Sequence, residues 1–242
     1  VEVKLVSLTT VDKNYVKHLL ENIGIPEEYE EIIQNPEGLM AYIARVSSPN
    51  QTNSKYAGLI KYCMTHGHWS VLETCNAVFE IETSRAIAAQ ILRHRSFSFQ
   101  EFSQRYAAVD DSGIEIYEAR RQDDKNRQNS IDDLGDDVKV MWQQRQRDNW
   151  RASFDHYQWA LSNGIAKECA RMVLPLQVKT KLFANGTIRS WVHYLNSRTN
   201  VAAQKEHRDV AEAIKSIFIS EFPIISEAAG WAEATKVAVI PS

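Results

Sequence analysis

The chain has 242 residues, 44% of them hydrophobic, 10% aromatic and 24% charged, which is the make-up of a globular protein with ample material for a core. Collagen-like, low-complexity and wholly disordered chains are thereby excluded. Lys and Arg number 28 against 31 Asp and Glu, a net charge of -3, so no global basic field gathers nucleic acid or anionic lipid, and any anion site has to be local.

In chain order, the start VEVKLVSLTT carries Glu2 and Lys4 where a signal peptide would be apolar, and no stretch approaches the roughly 20 apolar residues of a membrane span. With Cys63, Cys75 and Cys169 forming an odd, sparse set, a cytoplasmic protein without a membrane partner is expected. Residues 54–66 place Tyr56, Leu59, Ile60, Cys63 and Met64 at helical spacing, with Gly67 set to end the helix. In CNAVFEIE, residues 75–82, Ala77, Phe79 and Ile81 alternate with Val78, Glu80 and Glu82 as in a half-buried strand. Ser84 is placed to cap an Ala-rich helix, SRAIAAQILRHR, and the following SFSFQEFSQRY reads as a loop.

A composition shift lies at 118–151, where eight basic and eight acidic residues mix. It reads as a charged surface insertion, about 107–151 in all. A long loop comes first, then a helix through MWQQRQRDNWRASFDHYQWAL anchored by Trp142, Trp150 and Tyr157. Further on, LQVKTKLFAN reads as a strand, TIRSWVHYLNSR as a helix, and 205–220 as a helix with Val210, Ile214, Ile217 and Phe218 inward. The pattern predicts an α+β, mixed α/β fold, a single domain over 1–242 with a central sheet flanked by helices.

The densest polar cluster is Arg93-His94-Arg95, followed by Ser103, Arg105 and Tyr106. Cations ending a helix complement its dipole, and a basic tripeptide needs no further reason. On a continuing helix, however, Gln90, Arg93 and His94 would share one face, and Ser96, Ser98, Gln100, Glu101 and Ser103 adjoin them. Forked guanidinium donors beside amide and carboxylate groups suit a phosphorylated ligand with a planar polar ring.

Arg93-His94-Arg95, seven residues and then Ser103 resembles the signature of the flavin-dependent thymidylate synthases. HGHWSVLE around His68 and Ser70, Ala44-Arg45-Val46-Ser47, Arg171 in ARMVLP, and Arg189, His193 and Arg198 are similar to that family in order and spacing, from about residue 40 to 220. Where the family commonly has Pro-Phe-Glu-His, this chain has Val71-Leu72-Glu73-Thr74. The resemblance implies FAD contacts from Ser47, His68, Ser70, Arg93, His94, Arg95, Glu101, Thr187, Arg189 and His193. For dUMP it implies Gln90, Arg93, Glu101, Ser103, Gln104, Arg105, Arg171 and Arg198, with Arg198 as the catalytic group at the uracil imide.

The implied reaction is reductive methylation of dUMP to dTMP, with methylene-tetrahydrofolate as carbon donor, NADPH as hydride source and FAD as carrier. Ser103 has no base fixed beside it, so a hydrogen bond to the nucleotide phosphate suits it better than nucleophilic attack. The cysteines read as small hydrophobes and not as nucleophiles. His66 and His68 with Cys63 and Cys75 match no usual zinc spacing, and no metal is expected. Arg189 and His193 lie one turn apart, whereas Arg198 falls about 180° around the same helix, so one subunit could hardly aim both faces at one ligand. This agrees with the family's homotetramer, whose active sites lie between subunits. Two other readings stand beside it: a flavin-binding relative without synthase activity, and a nucleic-acid module using Arg93, Arg95, Arg105, Arg120 and Arg121 with Phe97, Phe99 and Phe102, against which the net charge argues.

Overall fold

A computed structural model describes residues 1–231 apart from 24, 27 and 112; the end of the expected domain, 232–242, lies outside the described residues. The chain opens with strand β1 (Glu2–Leu8) and helices α1 (Lys13–His18), α2 (Glu28–Gln34), α3 (Pro36–Ala44) and α4 (Ala57–Thr65). Strand β2 (Asn76–Ser84), helix α5 (Arg85–Ile91) and strand β3 (Phe97–Glu101) follow. Then come the short strands β4 (Arg121–Gln122) and β5 (Ser130–Ile131), the long helix α6 (Asp136–Ser162) and the single turn α7 (Lys167–Ala170). Strand β6 (Lys179–Thr187) and helices α8 (Ile188–Arg198), α9 (Lys205–Glu221) and α10 (Pro223–Ala228) complete it. The main sheet has the order β1-β2-β6-β3, and β4 pairs antiparallel with β5, Arg121 opposite Ile131 and Gln122 opposite Ser130. The fold is mixed α/β, as the sequence predicts.

Two compact units are distinguished, each taken by itself below. The first comprises Val1–Val3, Glu80–Ala184 and Ser197–Ala211, and the second Lys4–Phe79, Asn185–Asn196 and the described residues from Glu212 onward.

In the second unit α4 stops where Gly67 takes φ 73°: Gly67 N–H bonds Met64 O and His68 N–H bonds Cys63 O at 2.8 Å, closing the helix and presenting His68 outside it. On α8 the spacing Ile188, Trp191, Val192, Leu195 buries one face. Trp191 meets Phe79 edge-on at 4.8 Å and donates to Ala77 O, a contact worth about 0.5–1.5 kcal/mol beyond its area. The opposite face carries Arg189 and His193. Glu37, 1% exposed, accepts the N–H groups of Ile225 and Ile224 at the start of α10. Burial outweighs those bonds and pushes its carboxyl up to about 7.

In the first unit Ala77's alternation continues as Ile81 and Thr83 go inward along β2, and Ser84 caps α5 by accepting from Ile87 N–H at 3.3 Å. Four expectations change here. Helix α5 ends at Ile91 and does not run to Arg95, because Arg93 N–H and His94 N–H turn back to Gln90 O and Ile91 O, leading the chain into a strand. That strand, β3, replaces the expected loop at 97–101, since Phe97 and Phe99 alternate with Ser98 and Gln100, and Phe102 N–H bonds Lys181 O of β6 just past its end. The charged segment is not loop throughout its first half, because Arg121, braced by Asp133 at 2.7 Å, joins Gln122 in the β4–β5 ladder. Of the three anchors on α6, Trp150 and Tyr157 are buried while Trp142 is 44% exposed, because α6 turns its 142 position outward.

Candidate functional site

The signature lies in the first unit. Arg93 and Arg95 are exposed in the turn after α5, and His94 is half-buried. His94 Nε2 accepts a hydrogen bond from Arg198 Nε at 3.0 Å, so that nitrogen carries a lone pair and the ring is neutral. Burial and then the Arg198 charge hold the His94 pKa below its usual value. The structure thus brings together the signature histidine and the arginine expected at the uracil imide. Gln90 joins them through His207, whose Nδ1 lies 3.3 Å from Gln90 Oε1 and whose ring meets His94 edge-on at 6.0 Å. The shared helical face expected for Gln90, Arg93 and His94 is not formed, because α5 has ended; a folded-back turn groups them instead.

Glu101, at the end of β3, is fixed by Arg85 NH1 at 2.9 Å and Thr180 Oγ1 at 3.0 Å. Arg85 was not anticipated, although its position directly after the cap Ser84 marks the first turn of a helix. Ser103 and Arg105 line a cleft of about 480 Å³ with Tyr106, Ala166, Lys167 and Glu168, whereas Gln104 is buried. Arg105 pairs with Glu168 at 3.1 Å, an exposed contact of little net worth that an incoming anion can displace. Lys167, whose Nζ donates to Tyr106 O at 3.0 Å, was missed; its spacing of four from Arg171 is the signal that was available. Arg171 follows α7, and its Nε is buried without a hydrogen-bond partner, a donor that a ligand would satisfy.

Ser47, His68, Ser70, Thr187, Arg189 and His193, expected at the flavin, belong to the second unit. Arg189 is ion-paired with Glu73, a residue of the departed segment. His193 packs on Trp69 at 4.7 Å between ring centroids, and burial followed by the Arg189 charge lowers its pKa. Thr187 Oγ1 accepts Ser190 N–H at 3.1 Å and so caps α8, which gives it a structural task beside any ligand contact. His68 and Ser70 are exposed around Trp69, with Tyr62 edge-on to His68 at 5.8 Å. Ser47 is exposed in the turn after α3, where Arg45 holds the 46–56 loop through Asn53 O and Lys55 O. A second cleft, about 550 Å³ and lined by Val11, Val16 and Leu20 among others, contains none of the expected site residues.

Cys63 and Cys75 are buried, and burial raises both thiols, that of Cys75 to about 11. Cys169 is exposed, contrary to its reading as a small hydrophobe, because α7 is a single turn whose Ala170 faces inward instead. Among the described residues no cluster of three or more His, Cys, Asp or Glu is placed to hold a metal ion, and no helix is long and apolar enough to cross a membrane.

Comparison with known proteins bears on this arrangement directly. The family described as "Thymidylate synthase complementing protein" matches residues 28–224. A flavin-dependent thymidylate synthase from Synechocystis sp. is 53% identical over 197 residues, covering 81% of this chain and 91% of that protein. A probable flavin-dependent thymidylate synthase from Paramecium bursaria Chlorella virus 1 is 50% identical over 211 residues, covering 86% and 97%. Among solved structures, a UMP/dUMP methylase, PolB from Streptomyces cacaoi, bound with 5-Br dUMP, shares the fold with a TM-score of 0.75 at 24% identity, over 94% of this chain and 93% of its own. With the signature histidine and Arg198 in contact and relatives this similar along most of their length, the chain belongs to the flavin-dependent thymidylate synthase family and is an enzyme of that class.

Proposed function

We propose that the chain methylates dUMP to dTMP, taking the one-carbon unit from methylene-tetrahydrofolate and the hydride from NADPH by way of FAD, as a cytoplasmic homotetramer. The observation that carries this reading is the Arg198–His94 contact. Arg198 is a guanidinium whose Nε is oriented by a neutral imidazole, which leaves the fork's NH2 groups to meet the uracil imide. Negative charge developing there is stabilised by a fixed cation that does not itself give up a proton. Ser103, Arg105, Arg171 and Gln104 would hold the nucleotide phosphate and sugar, with Glu101 reading ring edges, while the Gln90 amide is engaged by Gln204 and His207.

The second-unit residues fit a flavin in their chemistry: Arg189 for a phosphate or a ring carbonyl, the exposed His193 and half-buried Trp69 rings for stacking, and Ser70, Ser47 and His68 as polar contacts. Arg93 and Arg95 would serve a flavin as cationic donors, with His94 a neutral polar contact. Bound FAD supplies hydride transfer, and these side chains position it. With Cys63 and Cys75 buried and their thiols raised by burial, attack on uracil by either is disfavoured.

The test is anaerobic. The purified protein should be yellow; after its flavin is reduced, addition of dUMP and methylene-tetrahydrofolate should yield dTMP, and omission of either should abolish it. A yellow protein that makes no dTMP would support the synthase-deficient relative, and a colourless one that retards nucleic acid would support the binding module.

A further inference from the structure

Within the charged segment, Arg120 makes a largely buried ion pair with the start of α9. Arg120, its side chain 13% exposed, pairs through NH2 with Glu206 Oε1, and its Nε donates to Ser130 Oγ at 2.9 Å in β5. Glu206, 9% exposed in the first turn of α9, accepts from Gln204 Nε2 at 2.9 Å with its other oxygen. Gln204 Oε1 accepts from Gln90 Nε2 at 2.7 Å. Because that amide nitrogen is committed to Gln204, Gln90 turns its oxygen to His207, which therefore carries its proton on Nδ1. His207, 1% exposed, packs edge-on against His94, and His94 accepts from Arg198.

We propose that Arg120, Glu206, Gln204, Gln90 and His207 form a polar strut, buried at Glu206 and His207 and exposed at Gln204, that fixes the His94 ring and through it the guanidinium of Arg198, which makes Arg120 and His207 positioning residues for the reacting uracil. The proposal rests on the reading of Arg198 given above. Two features favour a positioning task over plain packing. Each link is directional, since each amide has one end assigned by its neighbour, so a rotation at Glu206 is passed along the row instead of being absorbed. The far end is anchored by an ion pair shielded from water, whereas most other ion pairs of the charged segment, such as Arg121–Asp133, are exposed. His207 is also held neutral, its pKa lowered to about 4 by burial and then by the Arg198 charge, so it adds no further cation beside Arg198.

Removing Arg120 alone would strand the Glu206 carboxylate, so the working variant is Arg120→Met combined with Glu206→Gln, which deletes both charges together. Arg120→Lys, which keeps the charge, serves as the rescue, and His207→Gln cuts the row at its other end. For the double variant and His207→Gln, kcat should fall about ten-fold while KM for dUMP stays within about two-fold, and Arg120→Lys should recover much of the loss. A second readout needs no turnover: 5-bromo-dUMP, whose halogen acidifies the imide, should show by its ultraviolet spectrum a smaller ionised fraction on the double variant than on the wild type at one fixed pH. Wild-type kcat and wild-type ionisation in both variants would overturn the strut. So would a loss of turnover matched by equal losses of dUMP binding and melting temperature, the mark of a merely structural network. A wild-type protein that forms no dTMP would instead overturn the functional reading itself, and the strut with it.

Discussion

Glu37 and His207 are both about 1% exposed, yet burial moves them in opposite directions, because desolvation disfavours the charged form of each. Between 4.5 and about 7 the folded chain holds the Glu37 proton that the unfolded chain releases, so this contribution is full below pH 4.5 and is lost as pH rises to 7. For His207 the unfolded chain binds the extra proton between about 4 and 6.5, so its contribution is full above pH 6.5 and is lost as pH falls to 4. Each amounts to roughly 3 kcal/mol, and across the shared window they offset one another. Glu37→Gln should therefore lose stability more steeply than wild type on acidification from pH 6.5 to 4.5, as urea midpoints at several pH values would report; parallel profiles would refute the assignment. At the same scale, Ser103→Ala removes one hydrogen bond at the cleft and should raise KM for dUMP about five- to ten-fold, roughly 1–1.5 kcal/mol, while leaving turnover at saturation. Abolished turnover with normal dUMP binding would restore Ser103 as a nucleophile.

At the scale of elements, two helical glycines make a paired test. A Cβ on Gly38 in α3 would stand 1.9 Å from Ile32 O of α2, a backbone atom that cannot swing away, whereas one on Gly58 in α4 meets nothing within 4 Å. Gly38→Ala should cost about 1–3 kcal/mol or more and lower the melting temperature, while Gly58→Ala should be neutral or stabilising by up to about 1 kcal/mol. Equal melting temperatures would show that α2 and α3 do not approach as described. The elements legible in the sequence were those in which period and stop signal agree: α4 with Gly67, β2 with its alternation, α8 with its buried stripe and α9. Where the two conflicted, the reading failed. The Ala-rich helical propensity of α5 masked the turn at Leu92, and the serines of SFSFQEF masked the two-residue aromatic period that makes β3. In the first 44 residues signals were present but passed over, notably Asn35-Pro36, where the Asn35 side chain caps α3 at Glu37 N–H and proline occupies the first turn. The Arg120–Glu206 and Arg189–Glu73 pairs span 86 and 116 positions, and no local pattern encodes contacts made by tertiary folding.

At the scale of the whole molecule, α8 runs from Ile188 to Arg198, Arg189 falling in the second unit and Arg198 in the first. Arg198 engages His94 within the first unit, and Arg189 engages Glu73 within the second. In the proposed homotetramer with active sites between subunits, one site would take the two arginines from different chains. Near Arg171, Met172 is 73% and Leu176 69% exposed. Mixing Arg198→Ala protein with Arg189→Ala protein, each nearly inactive, should then restore activity once subunits exchange. A site works only if its Arg198 comes from one variant and its Arg189 from the other, so random mixing in equal amounts should recover about a quarter of the wild-type rate. An inactive mixture after exchange has been demonstrated by mass-labelled subunits would place both arginines of a site on one chain, and an Arg198→Ala protein with normal turnover would remove Arg198 from the chemistry altogether.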